Sequence, residues 1–309
     1  MHFCRTVFVL AGLLSAMSCA KAPQSGIAIP SAFHSLIPQD TTLLAGVRLT
    51  ALESAPFYVR HRDWFNFAQL DDLKEKIGLD PRRDLSDLVV AYDGKHALLL
   101  ASGTFQSGAV QNKLLGLRAK RLEEKGHTLF LSGGQAVAFP ANGLAAAGPV
   151  SAVETALDLH AARSGNIPEE LQRRLEAIPS RDQLWAATRG GLPFLQLAGN
   201  SDVQSALSNI AGYISETSAG LGVDTGLHLR AEIICISDEG AQRVRDALRG
   251  AIGLGRLTTK DNETDLLRLY DSIQVEQSQR TVRVNSDLPA DLADKLLNLG
   301  TTASIFRPR

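Results

Sequence analysis

Two stretches of this chain begin alike. Residues 37–48 read IPQDTTLLAGVR and residues 178–189 read IPSRDQLWAATR. Laid side by side without gaps they agree at five of twelve places: Ile37/Ile178, Pro38/Pro179, Leu43/Leu184, Ala45/Ala186 and Arg48/Arg189. Each is a proline-initiated turn feeding an apolar strand, followed by a segment with helical spacing. A period of this kind restricts the fold to one built from two similar units. The expected halves are 37–177 and 178–300. Chance agreement stays open, because any loop-to-strand junction draws on proline and apolar residues.

The patterning inside each half sets the fold class. Short apolar runs (LVVAY, KHALLLASG, HTLFLSG, QAVAFP, LAAAG) are separated by Asp-Gly, Gly-Gly and Asn-Gly turns, the grammar of hairpins. Helical spacing is expected over 56–77, 107–117 and 150–162, with a short helix in EELQRRLEA. The second half is expected to hold a strand at 182–188, a helix near 201–217 and a long strand in GLHLRAEIICIS. A helix capped by Asp238 follows, then a hairpin from LLRLYDSIQVEQ and RTVRVNSD, and a last helix between Pro289 and Gly300. Strands in hairpins interrupted by single helices indicate an α+β protein, mostly antiparallel, with helices on one face.

The front of the chain is a signal segment. MHFCRTVFVLAGLLSAMSC has a basic start at Arg5, an apolar run from Thr6 to Leu14 and small residues after it. The run is about ten residues, half of what a spanning helix needs. SAMSC is similar to a lipobox, although Ala16 and Met17 are atypical of one; the similarity implies a signal over 1–18 and lipidation of Cys19. Ordinary cleavage after Ser18 or Ala20, giving a soluble periplasmic protein, is the alternative. Residues 19–36, rich in Pro, Ser and Ala, read as a flexible tether, and 301–309 as a frayed tail. The remaining cysteine, Cys235, lies among isoleucines and reads as a buried apolar residue.

Charge excludes some functions. With 32 Lys and Arg against 33 Asp and Glu, the chain has no electrostatic footprint for nucleic acid. Residues 131–135 spell LSGGQ, the signature string of ATP-binding cassettes, yet no G-x-x-x-x-G-K-[ST] phosphate cradle accompanies it. The one Gly-Lys pair, Gly94-Lys95, has Val89 where the first glycine belongs and His96 where Ser or Thr belongs. LSGGQ therefore reads as a hairpin turn, and no nucleotide is expected. The seven histidines are spread singly, so no metal and no cofactor are expected, and no catalytic residue is assigned. PFYVRHRDWFNF gathers Phe57, Tyr58, Trp64 and Phe65 around Arg60. It reads either as a wide helix face over a sheet or as an exposed aromatic patch with a basic rim.

The Cys19 signal, IPQDTTLLAGVRL, IGLDPRRDLSDLVVAYDG and AAAGPVSAVETALD together resemble uncharacterised bacterial exported proteins of the cell envelope. The resemblance covers most of 37–177; it implies an envelope location and no activity. The expectation is a non-enzymatic envelope module, membrane-held through Cys19, that binds a partner protein or an apolar ligand. The alternative is a hydrolase-like enzyme whose site draws together distant residues such as Arg48, His96 and Arg189.

Overall fold

The computed structural model describes residues 26–65, 74–191 and 208–302. The signal segment, Cys19 and the end of the tail lie outside them. The described strands form one sheet of twelve, every neighbouring pair antiparallel, in the order β11-β12-β10-β9-β8-β1-β2-β3-β7-β6-β5-β4. At its centre β1 (Leu43–Arg48) pairs with β8 (Leu184–Arg189), the two stretches that begin alike.

The register of that pair is informative. Ala45 faces Ala186, Leu43 faces Thr188 and Val47 faces Leu184. Ala45 and Ala186 are also equivalent when the two stretches are aligned. Outward from this pair run β2 (Leu85–Tyr92) and β3 (Ala97–Gly103) on one side. On the other run β9 (Ile214–Val223) and β10 (Leu227–Cys235). Each trio is followed by a helix, Ser107–Gly116 or Asp238–Thr258. Each helix is followed by strands whose last member returns to pair with the third strand: β7 (Leu144–Pro149) with β3, and β12 (Thr281–Leu288) with β10. The first side has four returning strands, adding β4 (Lys120–Glu124), β5 (His127–Ser132) and β6 (Gln135–Ala141) before β7. The second has two, β11 (Ile273–Ser278) and β12.

Because side chains alternate across a strand, the register sorts the sheet into two faces. On one face Leu44, Val89, Leu100, Ala146 and Trp185 form the largest core with Phe33, Val153, Leu157 and Leu171. Those last residues come from the helices Ser31–His34, Val150–Ala162 and Glu169–Glu176. Trp185 lies over Gly46, where any side chain would run into the indole. On the opposite face three smaller cores lie under Ser107–Gly116, Asp238–Thr258 and the helices Pro56–Arg60 and Ala290–Thr302. Helices thus cover both faces rather than the single face expected.

Several local expectations are corrected. Residues 26–36 are not a tether: Ile27, Ile29, Phe33 and Leu36 are buried, and the Ile27 amide donates to the Leu175 carbonyl at 3.0 Å. The helix expected over 56–77 breaks at His61, and 66–73 lie outside the described residues. Of the helix expected near 201–217, residues 201–207 lie outside the described residues, 208–211 are helical, and 214–217 already belong to strand β9. LLRLYDS is helical, within Thr264–Ser272, so the hairpin begins only at Ile273. Ser237, not Asp238, caps Asp238–Thr258, its hydroxyl accepting from the Gly240 amide at 3.0 Å. The last helix runs to Thr302 and contains Gly300.

Candidate functional site

LSGGQ is a turn. Ser132 pairs with Gln135 across the β5–β6 hairpin, and Gly133 and Gly134 have φ of 57° and 80°. Both positive angles define the tight turn that matches strand twist, and no helix follows to hold a phosphate.

Two aromatic residues of the expected patch are buried. Phe57 and Tyr58 face inward with Val223 and Ala293, Phe57 retaining 1% of its exposure. Arg60 lies over the Phe57 ring, 5.7 Å from its centroid, and donates to the Thr225 carbonyl at 2.9 Å. Trp64 and Phe65 belong to a short 3₁₀ turn, Arg62–Phe65. The two inward rings serve as the wide helix face over the sheet, the other reading of this stretch.

Arg48, His96 and Arg189 do not converge. Arg48 and Arg189 close antiparallel neighbours, so they sit at opposite ends of the central pair, about 20 Å apart at ~3.3 Å per residue. Arg189 is spent on the carbonyls of Thr41 and Gln39 and on Glu170. His96 is bonded to Asp93 at 3.2 Å beside a cavity of about 260 Å³ that Ser151 and Thr155 also line. Neither hydroxyl is bonded to the imidazole; Thr155 donates instead to the Ser151 carbonyl. A nucleophile–base contact, the first requirement of triad chemistry, is missing there.

A richer cluster lies on the large-core face, where the apolar cover stops. Past β8 the outward residues become polar: Glu216 and Ser218 on β9, Arg230 and Glu232 on β10, Arg283 and Asn285 on β12. Arg174, reaching from Glu169–Glu176, binds Glu216 at 3.1 Å and Glu232 at 3.0 Å. Arg283 takes the other oxygen of Glu232 at 3.1 Å. Under the rim of the helical layer lies Asp182, with no exposed surface. Its Oδ1 meets Arg230 Nη1 at 3.3 Å, whereas Oδ2 has no partner. Burial pushes the Asp182 carboxyl up from its ordinary pKa, against the pull of Arg230, Arg181, His228 and Arg48.

Room for that carboxyl comes from strand β9. A side chain at Gly220 would collide with Oδ2, and one at Gly222 would press on Oδ1 at 3.0 Å. The Asp182 carbonyl accepts from Arg48 Nη2 at 2.9 Å, and next to it Gln183 Oε1 accepts from the Val223 amide. Beside Gly220 and Arg230 opens a cleft of about 150 Å³, floored by the sheet and walled by Pro179, Glu232, Arg283 and Asn285. Among the described residues no three His, Cys, Asp or Glu side chains could hold a metal. Sequence reading missed this cluster because its members pair across gaps of 48 and 58 residues. The available signal was weak: glycines alternating on one face of β9 mark a close approach to a strand.

Comparison with known proteins places the fold alone. No protein-family model matches the chain, and no curated protein matches it. Among solved structures, crystal form III of TP0453 superposes with a TM-score of 0.51 at 10% identity, covering 86% of this chain and 97% of that one. Crystal forms I and IV of TP0453 give TM-scores of 0.48 at 9% identity, over 89% and 85% of this chain and 99% and 96% of theirs. At such identity the likeness to form III is one of architecture. Among the described residues no helix is long and apolar enough to cross a membrane.

Proposed function

We propose that this protein is a non-enzymatic module of the cell envelope, held to a membrane through Cys19, that recognises a partner protein with the open face of strands β9, β10, β12 and β11. One observation carries the reading. Helices and apolar cores cover the rest of the large-core face, but among the described residues nothing covers it beyond Arg174. A sheet face left to water is ordinary in antiparallel proteins. This one joins Glu216, Glu232 and Arg283 through Arg174 in a paired network, with Arg230 beside it paired to Asp182, and with no nucleophile and no metal ligand set among them. Such a checkerboard suits a polar protein surface of complementary charge and disfavours an apolar ligand. Only six residues, 20–25, separate Cys19 from Gly26, at most ~25 Å of extended chain. The body is thus held close to its anchor.

Two measurements test the two parts. Intact protein from the host membrane fraction should have the mass of residues 19–309 plus a diacylglyceryl and an acyl group. An unmodified or uncleaved chain would overturn the anchoring. A photoreactive residue in place of Glu276, exposed on this face, should give a discrete adduct in the intact envelope that disappears on adding Arg283→Glu. The same residue at Leu117, on the other side of the sheet, should give none. Equal adducts from both positions, or indifference to Arg283→Glu, would remove the open face from the proposal.

A further inference from the structure

We infer that the cleft of about 260 Å³ between the start of the helix Val150–Ala162 and the turn before β1 binds a small zwitterion of the amino-acid class. The cleft belongs to the first half of the fold, apart from the open face, and its role does not depend on the reading given to that face.

The helix supplies donors. It has 13 residues, and Pro149 stands at its N-cap without a side-chain acceptor. No acidic residue lies in its first turn. Among the described residues the amides of Ser151 and Ala152, which line the cleft, meet no acceptor. Open amides at a helix start attract an anion. The turns beside β1 and β2 supply acceptors. Asp40 is exposed and has no ionic partner among the described residues. Asp93 takes the amides of Lys95 and His96 on Oδ1, at 2.6 Å each, and the His96 ring on Oδ2 at 3.2 Å. Burial alone would raise the Asp93 carboxyl, but those bonds hold it below its ordinary pKa, so it is charged at neutral pH. Thr41 separates a site from a mere gap. It keeps 1% of its exposure, and its hydroxyl bonds no protein group, yet that hydroxyl is not sealed from the cleft. A buried hydroxyl without a partner costs free energy until something answers it.

The layout selects the ligand. Asp40, Asp93 and His96 are the titratable groups that line the cleft, and no Lys or Arg joins them. Arg189 reaches this region through the carbonyls of Thr41 and Gln39 and is paired to Glu170. Glu154, on the same helix, acts on Lys125. A plain anion would therefore meet two carboxylates, and a plain cation would face the positive end of the helix. A molecule carrying both charges satisfies both sides. Its carboxylate takes the Ser151 and Ala152 amides, and its ammonium takes Asp40 and Asp93. The Thr41 hydroxyl, able to donate or accept, accepts from the same ammonium. The helix starts at the end of β7 and Thr41 precedes β1, with β2 and β3 lying between them in the sheet. There Ala91 and Leu98, paired across β2 and β3, make an apolar floor beside Pro38. A volume of about 260 Å³ holds roughly nine waters at ~30 Å³ each. That is room for an amino acid with a short apolar side chain.

The test uses the mature full chain, labelled with nitrogen-15, and four probes: L-valine, N-acetyl-L-valine, L-valinamide and L-valyl-L-valine. L-valine should give saturable shifts at the amides of Thr41, His96, Ser151 and Ala152. N-acetyl-L-valine, which lacks the ammonium, and L-valinamide, which lacks the carboxylate, should give none. Tighter binding of L-valine than of the dipeptide identifies a free amino acid as the source, and the reverse order identifies a short peptide. Asp40→Asn, at an exposed position, should weaken L-valine about ten-fold or more by removing a charge-assisted bond. Ser151→Asp places a carboxylate in the first helical turn, where it favours the helix and takes the seat of the ligand's carboxylate, so it should abolish binding. Circular dichroism checks both folds, and should Ser151→Asp fail to fold, Asp40→Asn decides. Equal shifts from either blocked probe, non-saturating shifts, or affinity indifferent to Asp40→Asn would overturn the site. The adduct formed from position 276 should be unchanged in Asp40→Asn, so failure here leaves the partner surface standing, and failure there leaves this cleft standing.

Discussion

Asp182 concentrates the residue-scale argument. Desolvation raises its pKa despite Arg230 and three further cations nearby, so the folded state holds this proton more tightly than the unfolded chain does. The sign follows from linkage: where the native state binds more protons, stability falls as pH rises. The contribution of Asp182 is therefore greatest below its unfolded pKa and declines as pH climbs through the raised folded value. Asp182→Asn removes the titration. Its stability relative to the natural protein should be most favourable at neutral pH and should shrink as pH drops through that window, as urea unfolding across pH would record. A variant less stable at neutral pH would show instead that the ionised pair with Arg230 outweighs burial. Asp87 and Glu53 are raised for the same first reason, burial. Only the difference between the two proteins isolates Asp182.

At the scale of elements, Asp238–Thr258 shows where local sequence stops deciding. GAIGLGRL looks like a helix terminator, since glycine costs ~1 kcal/mol against alanine in a helix. Yet the helix runs through Gly250, Gly253 and Gly255, because its apolar stripe of Val244, Leu248 and Ile252 packs on the sheet. The glycines are not equivalent. Nothing lies within 4 Å of where a Gly250 side chain would begin, whereas one at Gly255 would meet the Tyr270 ring at 2.7 Å. Gly250→Ala should raise stability by ~1 kcal/mol, and Gly255→Ala should lower it by ~1–3 kcal/mol. Thermal unfolding of the two variants would separate them, and equal signs would refute the packing account. Ser237→Ala should cost ~1 kcal/mol by removing the cap. The strands of the first half were legible because their apolar positions alternate and their turns carry paired positive-φ residues, such as Gly133-Gly134. Strand β9 was not: ISETSAGLGV offers its apolar face to one side only and sets serine, glycine and glutamate against Asp182 and Arg174. The features that make β9 useful to the cluster are those that hid it as a strand.

Over the whole molecule, the decisive segment is one that composition alone had assigned to solvent. Residues 26–36 look like a linker because proline, serine and alanine dominate them locally. Their apolar residues find partners only across the fold. Phe33 and Leu36 have no exposed surface, and Ile27 and Ile29 are nearly as deep. Gly26 bridges to Pro179, at the junction where the second half begins, and a side chain there would run into the Glu176 backbone. The segment thus closes the large core over Leu171 and Leu175 and ties the start of the chain to its middle. Burying four large apolar side chains at ~2 kcal/mol each contributes about 8 kcal/mol, comparable with the whole net stability of a typical domain. A chain starting at residue 37 should therefore fail to fold cooperatively, whereas one starting at residue 26 should unfold in a single transition. Phe33→Ala in the longer chain should cost ~3–5 kcal/mol. Circular dichroism melts of the three proteins decide the matter. A cooperative transition in the chain starting at 37, within a few degrees of the longer one, would return residues 26–36 to the role of linker. It would also lengthen the distance over which an anchor at Cys19 could let the open face range.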